Sequence, residues 1–131
     1  MGEKFYTYKR VGYLKERMAE DLGVKFTGTI YASQCVIKHI KKKHGKQLGK
    51  KIINNIFECM REVIEKPDYI GVYKLTNNGT YIELIKKADT NILIGIDINE
   101  ERDYISVSTM YPITDGKIYS RLYSGKLIVW R

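Results

Sequence analysis

The spacing of apolar residues changes near the middle of the chain and divides it into a helical half and a strand half. Before Pro67, apolar side chains recur at three- and four-residue steps, which is the period of an amphipathic helix. After Pro67 they alternate with polar residues, which is the period of a half-buried strand. The pattern therefore predicts an α+β domain whose N-terminal helices pack on one face of a four- to five-stranded antiparallel sheet.

Helix boundary signals accompany the first pattern. Gly23 and Gly45 are C-terminal stops, Ser33 is an N-cap after the extended piece "KFTGTIYAS", and Pro67 ends the last helix. The predicted helices span residues 10–22, 34–43 and 47–65. The broad apolar stripe of the third helix is explained by packing in the core.

The strands are predicted in "IGVYKL", "YIELIKKA", "NILIGIDI" and "YISVSTMYPI", with a final hairpin or long strand in "IYSRLYSGKLIVW". Asn78 and Gly79 predict a hairpin turn within "TNNGT". Strand parity places the isoleucines and valines on the core side. The opposite, open face then carries Gly95, Asp97, Ser106, Ser108, Met110, Tyr119, Arg121 and Tyr123. This face is either the solvated side of the sheet or a surface for RNA.

Charge and length set the broad class. The 131 residues suit a single domain, 1–131, and the net charge of +8 favours a polyanionic partner, most often nucleic acid. The alternative is a basic protein whose charge only aids solubility. Because the sequence shows no long apolar run, no signal segment and only two cysteines, we expect a cytoplasmic protein that does not enter a membrane.

The segment "VIKHIKKKHGK" contains both histidines of the chain. On a helix, His39 and His44 lie roughly 140° apart, so they are not a metal-binding pair on one face. His39 is either a core residue at the edge of the apolar stripe or part of a site. His44 is either exposed and idle or suited to acid–base chemistry, since the helix dipole favours its protonated form and three neighbouring lysines oppose it.

These residue types suit RNA cleavage without a metal. That reaction needs a base for the 2′-hydroxyl proton, an acid for the leaving 5′-oxygen, and cations around the charged phosphorane. No carboxylate cluster, zinc-ligand spacing, phosphate loop or nucleophile motif is visible, so neither a metal nor another cofactor is predicted.

The order of six segments resembles the phage-encoded barnase–EndoU–colicin–RelE-like nuclease family. The segments are "TIYASQCVIKHIKKKHG", "VIEKPDYIG", "YIELIKK", "NILIGIDI", "YISVSTMYPI" and "KIYSRLYSGKL". The resemblance covers about residues 28–127. It divides the domain into an N-terminal helical extension, 1–27, and a nuclease-like α+β core, 28–131.

The resemblance implies helices on an antiparallel sheet with the active surface on the open face. It also implies metal-independent endoribonuclease activity that leaves a 2′,3′-cyclic phosphate. His39, His44, Ser108, Thr109 and Arg121 match its motif positions. Parity places Ser108 and Thr109 on opposite faces, so both can act only if a bulge intervenes.

The full prediction combines the resemblance with the charge pattern. The predicted catalytic residues are His39, His44, Ser108, Thr109, Tyr119 and Arg121, and the predicted RNA-binding residues are Lys38, Lys41, Lys42, Lys43, Lys117, Tyr123 and Lys126. The predicted partner is tRNA or mRNA, with an antitoxin or host protein besides, for a phage or mobile-element toxin or effector. The alternatives are a non-catalytic module of the same fold that binds nucleic acid or protein, and an inhibitory or structural phage protein.

Overall fold

The computed structural model describes residues 8–74 and 79–130. Within them the chain forms β1 (Tyr8–Leu14), α1 (Glu16–Leu22), β2 (Gly28–Ser33), α2 (Gln34–Leu48), α3 (Lys50–Asn54), α4 (Ile56–Glu65), β3 (Tyr69–Lys74), β4 (Gly79–Lys86), β5 (Ile92–Asn99), β6 (Tyr104–Pro112), α5 (Asp115–Tyr123) and β7 (Leu127–Val129). The predicted α+β class is confirmed. The predicted hairpin turn falls mostly on residues outside the described ranges, but the strands on either side of it pair antiparallel.

The sheet is larger than predicted and is mixed. Its seven strands lie in the order β1-β2-β6-β5-β4-β3-β7. The pair β2–β6 is parallel, through Ile30 opposite Ile105 and Tyr31 opposite Ser106, and the other neighbours are antiparallel. The predicted number and orientation of the strands were therefore wrong, because the prediction did not include β1 and β2 in the sheet and β2 pairs parallel with β6.

Two apolar clusters lie on the sheet. The larger cluster joins buried side chains of α1, α2 and α4 to one face of the strands, including Met18, Ile40, Met60, Ile82 and Ile94. The smaller cluster contains Ile85, Leu93, Ile113, Ile118 and Leu127. Since Ile85 and Leu93 alternate with core residues along β4 and β5, α5 packs on the opposite face of the sheet. Among residues 8–74 and 79–130, α5 is the helix whose buried side chains join this smaller cluster, and we refer to this side of the sheet as the open face.

The predicted helix 10–22 is a strand followed by a helix. Val11 and Leu14 are fully buried in β1, and Met18 and Leu22 are buried in α1. The pairing of β1 with β2 shifts register between Arg10 and Gly12. A bulge at this point lengthens the spacing of buried residues from two to three, which imitates the period of a helix.

The second and third predicted helices have different boundaries from those expected. Ser33 caps α2 as predicted, because its side chain accepts a hydrogen bond from the Val36 amide at 3.1 Å. Gly45 does not end α2, which continues to Leu48. The predicted helix 47–65 is instead divided by Gly49, whose φ is 87°, and by Asn55. Glycine reaches this positive φ without steric cost, which explains the break.

The predicted C-terminal hairpin is the helix α5 followed by the short strand β7. Thr114 caps the helix, since its hydroxyl accepts a hydrogen bond from the Lys117 amide at 3.3 Å. Ile118 and Leu122 face the smaller cluster. Their spacing of four residues fits a helix as well as a strand, so alternation alone did not distinguish the two.

No helix in the described ranges is long and apolar enough to cross a membrane.

Candidate active site

A buried carboxylate, Glu83, lies at the centre of the open face. It occupies β4 between the core residues Ile82 and Leu84, so its side chain points away from the core. Its cross-strand neighbours are two glycines, Gly71 on β3 and Gly95 on β5. Because neither glycine has a side chain, the backbone at Lys126 lies over Gly71 and the Tyr81 ring lies over Gly95.

Arg121 is the ionic partner of this carboxylate. Its Nε lies 3.2 Å from Glu83 Oε1, and the two side chains are 25% and 6% exposed. The Tyr81 hydroxyl donates to Glu83 Oε2 at 3.5 Å. Burial alone would lower the pKa of Arg121, but the adjacent carboxylate outweighs this effect, and the net change is upward. The helix α5 therefore places the guanidinium of Arg121, which is always charged, at the middle of the open face.

Three tyrosines surround this ion pair. Tyr73 and Tyr111 both interact with the Arg121 guanidinium and with Glu83, and the Tyr73 and Tyr81 rings are 6.2 Å apart. The pKa of each of the three phenols is raised, first by burial and then by the Glu83 carboxylate. All three hydroxyls thus stay protonated at neutral pH and can donate hydrogen bonds or a proton.

His44 is the predicted histidine that reaches this cluster. Its ring centroid lies 5.4 Å from that of Tyr111, and its Nδ1 lies 3.4 Å from Gln47 Oε1. The packing of α2 beside β6 brings it there. His39 is exposed elsewhere on α2, so the interpretation of His39 as a core residue was wrong. We refer to Glu83, Arg121, Tyr73, Tyr81, Tyr111 and His44 as the site cluster.

A bulge in β6 changes the predicted parity. Gly95 is opposite Thr109, whereas Ile96 is opposite Val107, so Ser108 is the extra residue. Ser108 and Thr109 together occupy the interval between the buried Val107 and Met110. Met110 therefore lies in the core and not on the open face as predicted. Thr109 shares the face of Gly95, and the Ser108 hydroxyl donates to the Gly95 carbonyl at 3.3 Å.

The other predicted residues divide between the rim of the site and more distant surface. Lys126 approaches the cluster, with its Nζ 5.7 Å from the Tyr73 ring centroid. Tyr119 is 55% exposed beneath Lys87, and Tyr123 is 96% exposed. Their predicted open-face positions assumed a strand and were wrong, because α5 is a helix. Exposed positions on α2 and α5 are occupied by Lys38, Lys41, Lys42, Lys43 and Lys117.

Sequence reasoning overlooked four members of the site cluster, namely Glu83, Tyr73, Tyr81 and Tyr111. Glu83 had a usable signal, since it is an acidic residue at an open-face position between two core residues of a predicted strand. Tyr111 had no such signal, because the β6 bulge reversed its parity. The contact between Arg121 and β4 was also unpredictable from parity, since it depends on the helix α5.

A half-buried carboxylate beside the site cluster gives a prediction for pH-dependent stability. Burial raises the pKa of Asp97 in the folded protein above its value in the unfolded chain. At a pH above the folded-state pKa, the ionised carboxylate therefore destabilises the fold. At a pH below the unfolded-state pKa, Asp97 is protonated in both states and has no such effect. We expect Asp97→Asn to raise the thermal midpoint at pH 7 and to leave it nearly unchanged at about pH 3, below the usual aspartate pKa.

Thermal unfolding followed by circular dichroism across this pH range measures the effect of Asp97→Asn. The matched control is Asp21→Asn on α1, an exposed aspartate that should give little change at either pH. A midpoint that falls at pH 7 in Asp97→Asn would show that the ionised carboxylate stabilises the fold.

Among the residues that the structure describes, no group of three or more His, Cys, Asp and Glu side chains is placed to hold a metal ion. The arrangement offers a carboxylate and an imidazole for proton transfer, phenols that can donate, and a guanidinium for an anion. These are the functions needed where negative charge develops on a phosphate.

Comparison with known proteins identifies the family. No curated protein and no solved structure matches the chain significantly. The model of the family described as phage-Barnase-EndoU-ColicinE5/D-RelE like nuclease 3 matches residues 9–120. The match begins in β1, earlier than the resemblance at 28–127 suggested, and ends one residue before Arg121. The chain belongs to this family of phage barnase–EndoU–colicin–RelE-like nucleases.

Proposed function

We propose that this nuclease-family protein is a metal-independent endoribonuclease that cleaves by transesterification. The observation that carries the proposal is the buried Glu83–Arg121 pair on the open face, with protonated tyrosines and His44 around it. A base, an acid and a fixed cation are thereby available within one cluster. Membership of a nuclease family supports a nucleic-acid substrate.

In the proposed reaction, Glu83 accepts the proton of a 2′-hydroxyl. The 2′-oxygen forms a bond to phosphorus as the bond from phosphorus to the 5′-oxygen breaks. The leaving 5′-oxygen receives a proton from His44 or Tyr111, and the product is a 2′,3′-cyclic phosphate. Arg121 stabilises the charge of the phosphorane, and its rigid donors suit phosphate oxygens.

These roles modify the assignment made from sequence. Tyr111 takes the donor role predicted for Tyr119, because Tyr111 lies in the site cluster and Tyr119 lies under Lys87. Thr109 remains a proposed contact for phosphate or the 2′-hydroxyl, since it faces the same side as Gly95. Ser108 supports the bulge through its bond to the Gly95 carbonyl.

The proposed activity is tested with labelled tRNA and total RNA in the presence of EDTA. We expect cleavage, and products with 2′,3′-cyclic phosphate ends. A matched substrate with a single 2′-deoxy position should resist cleavage at that position. No cleavage at protein concentrations well above substrate would reject the enzyme, and cleavage at the 2′-deoxy position would reject the mechanism.

The two histidines provide an internal comparison. We expect His44→Ala to lower kcat by about 10²–10⁴-fold, because a positioned proton donor is lost. His39→Ala, an exposed change five positions earlier on α2, should have little effect. Initial rates measured from pH 5 to 9 test the pair, and equal losses from the two substitutions would contradict the assignment.

For the substrate, we propose single-stranded regions of tRNA or mRNA, bound with help from the exposed lysines of α2. This binding should weaken steeply with salt, since each phosphate contact releases a counterion. The proposed role is that of a phage or mobile-element toxin that acts in the bacterial cytoplasm, restrained by an antitoxin or host protein. Toxicity on expression that is relieved by Glu83→Gln would support this role. Salt-dependent RNA binding without cleavage would instead favour the non-catalytic module.

A further inference from the structure

The open face extends beyond the site cluster towards β1. Along one row of the sheet, Tyr81 is opposite Asp97, Asp97 is opposite Ser106, and Ser106 is opposite Tyr31. Residues paired in this way point to the same face. Tyr31 therefore lies three strand spacings, roughly 14 Å, from Tyr81 on the same surface. Neighbouring nucleotides of an RNA strand held at the site cluster can reach this position.

Three tyrosine rings meet at this end of the face. The Tyr31 and Tyr104 rings are stacked, with centroids 5.8 Å apart and an interplanar angle of 12°. Tyr8 meets Tyr104 edge-on, at 5.9 Å and 86°. Tyr8 is exposed, and Tyr31 and Tyr104 are half-buried. We refer to these three rings as the aromatic platform.

Packing alone does not account for all features of this platform. The rings cover the short parallel pair β2–β6, and cross-strand aromatic pairs stabilise sheets. Among the described residues, however, the buried Tyr104 hydroxyl makes no well-formed hydrogen bond, although the Tyr8 hydroxyl lies near it, and phenylalanine would fill the same space without burying a polar group. Arg10, opposite Tyr31 on β1, adds an exposed cation next to the rings.

We propose that the aromatic platform binds a nucleobase of single-stranded RNA that flanks the cleaved phosphate. Aromatic rings beside cations stack on bases with little regard to sequence, and removal of one such ring weakens binding by roughly tenfold to a hundredfold. The exposed Arg10, opposite Tyr31, can pair with the next phosphate. This inference rests on the proposed RNA substrate.

The test uses binding to an uncleavable ligand, so that it does not depend on catalysis. The probe is a fully 2′-O-methylated hexanucleotide carrying 2-aminopurine, whose fluorescence falls when the base stacks. We expect Tyr31→Leu to raise Kd about tenfold and to abolish the quenching. Tyr31→Phe should retain both, because the ring is kept. Tyr13→Leu, an exposed tyrosine of β1 outside the platform, is the matched control.

A second readout excludes a purely structural effect of Tyr31→Leu. In a Trp130→Phe background, which removes the one tryptophan of the chain, Tyr31→Trp places a fluorophore in the platform. We expect its emission to be quenched when the hexanucleotide binds. The proposal would be rejected by any of three results: unchanged emission from the Tyr31→Trp variant, unchanged affinity of Tyr31→Leu, or no binding of the hexanucleotide by the wild type. Platform-dependent binding without RNA cleavage would reject the proposed enzyme and retain this inference.

Discussion

Glu83→Gln is expected to lower the rate of RNA cleavage by about 10²–10⁴-fold, the usual contribution of a positioned general base. The substitution keeps the size of the side chain and one oxygen acceptor, but it removes the basic carboxylate. The 2′-hydroxyl then has no proton acceptor at this position. Affinity for an uncleavable RNA should be kept or increased, because a negative charge close to the phosphate is lost. Initial rates and a fluorescence-anisotropy titration measure the two effects separately.

The matched control for Glu83→Gln is Glu20→Gln, the same change at an exposed position of α1. It should leave both rate and affinity unchanged. Normal cleavage by Glu83→Gln would exclude this carboxylate as the base and transfer that role to His44. If cleavage and binding fall by the same factor, the substitution has instead disturbed the structure of the RNA-binding surface.

Arg121→Met is expected to abolish cleavage and also to lower the free energy of unfolding by about 3 kcal/mol. Loss of Arg121 leaves the carboxylate of Glu83, whose side chain is only 6% exposed, without its ionic partner. A buried unpaired charge is costly because the protein cannot replace its hydration. Urea unfolding measures this cost. Arg102→Met, in the exposed turn before β6, is the matched control and should unfold like the wild type.

The double variant Glu83→Gln/Arg121→Met separates stability from catalysis. Because it removes both charges, it should recover most of the stability lost in Arg121→Met. It should still fail to cleave RNA, since neither the base nor the phosphorane cation is present. Recovery of cleavage in the double variant would show that the pair has only a structural role. An unchanged unfolding energy in Arg121→Met would show that the ion pair contributes nothing to stability.

Much of the strand half could be predicted because one face of each strand is buried there. In β5 the isoleucines at alternate positions all pack in the larger core cluster, as the pattern indicated. The same reasoning gave a wrong result where the backbone leaves regular geometry. Because of the β6 bulge, Met110 lies in the core and Thr109 lies on the open face, opposite to the predicted positions. No residue type in the sequence indicates where such an extra residue is inserted.

The site was only partly predictable, because its members depend on contacts that are distant in sequence. His44 and Arg121 stood out by their residue types and by the family resemblance. The side chains that these two residues contact depend on three features that the sequence pattern did not predict. These are the continuation of α2 beyond Gly45, the helix α5, and the glycines paired with Glu83. The spacing of residues within one segment contains little information about these tertiary contacts. Charge composition likewise indicated a polyanion but not which surface would bind it.

The short parallel seam between β2 and β6 has a consequence for the order of folding. Strands β3 to β6 pair with neighbours close in sequence, whereas β2 joins β6 through two residue pairs from distant parts of the chain. Contacts between distant segments form slowly, because closing the long loop between them lowers the chain entropy before any interaction can compensate for that loss. We therefore expect the local meander to form first and the β1–β2 pair to dock last. The nuclease surface would then be complete only in the final folding step.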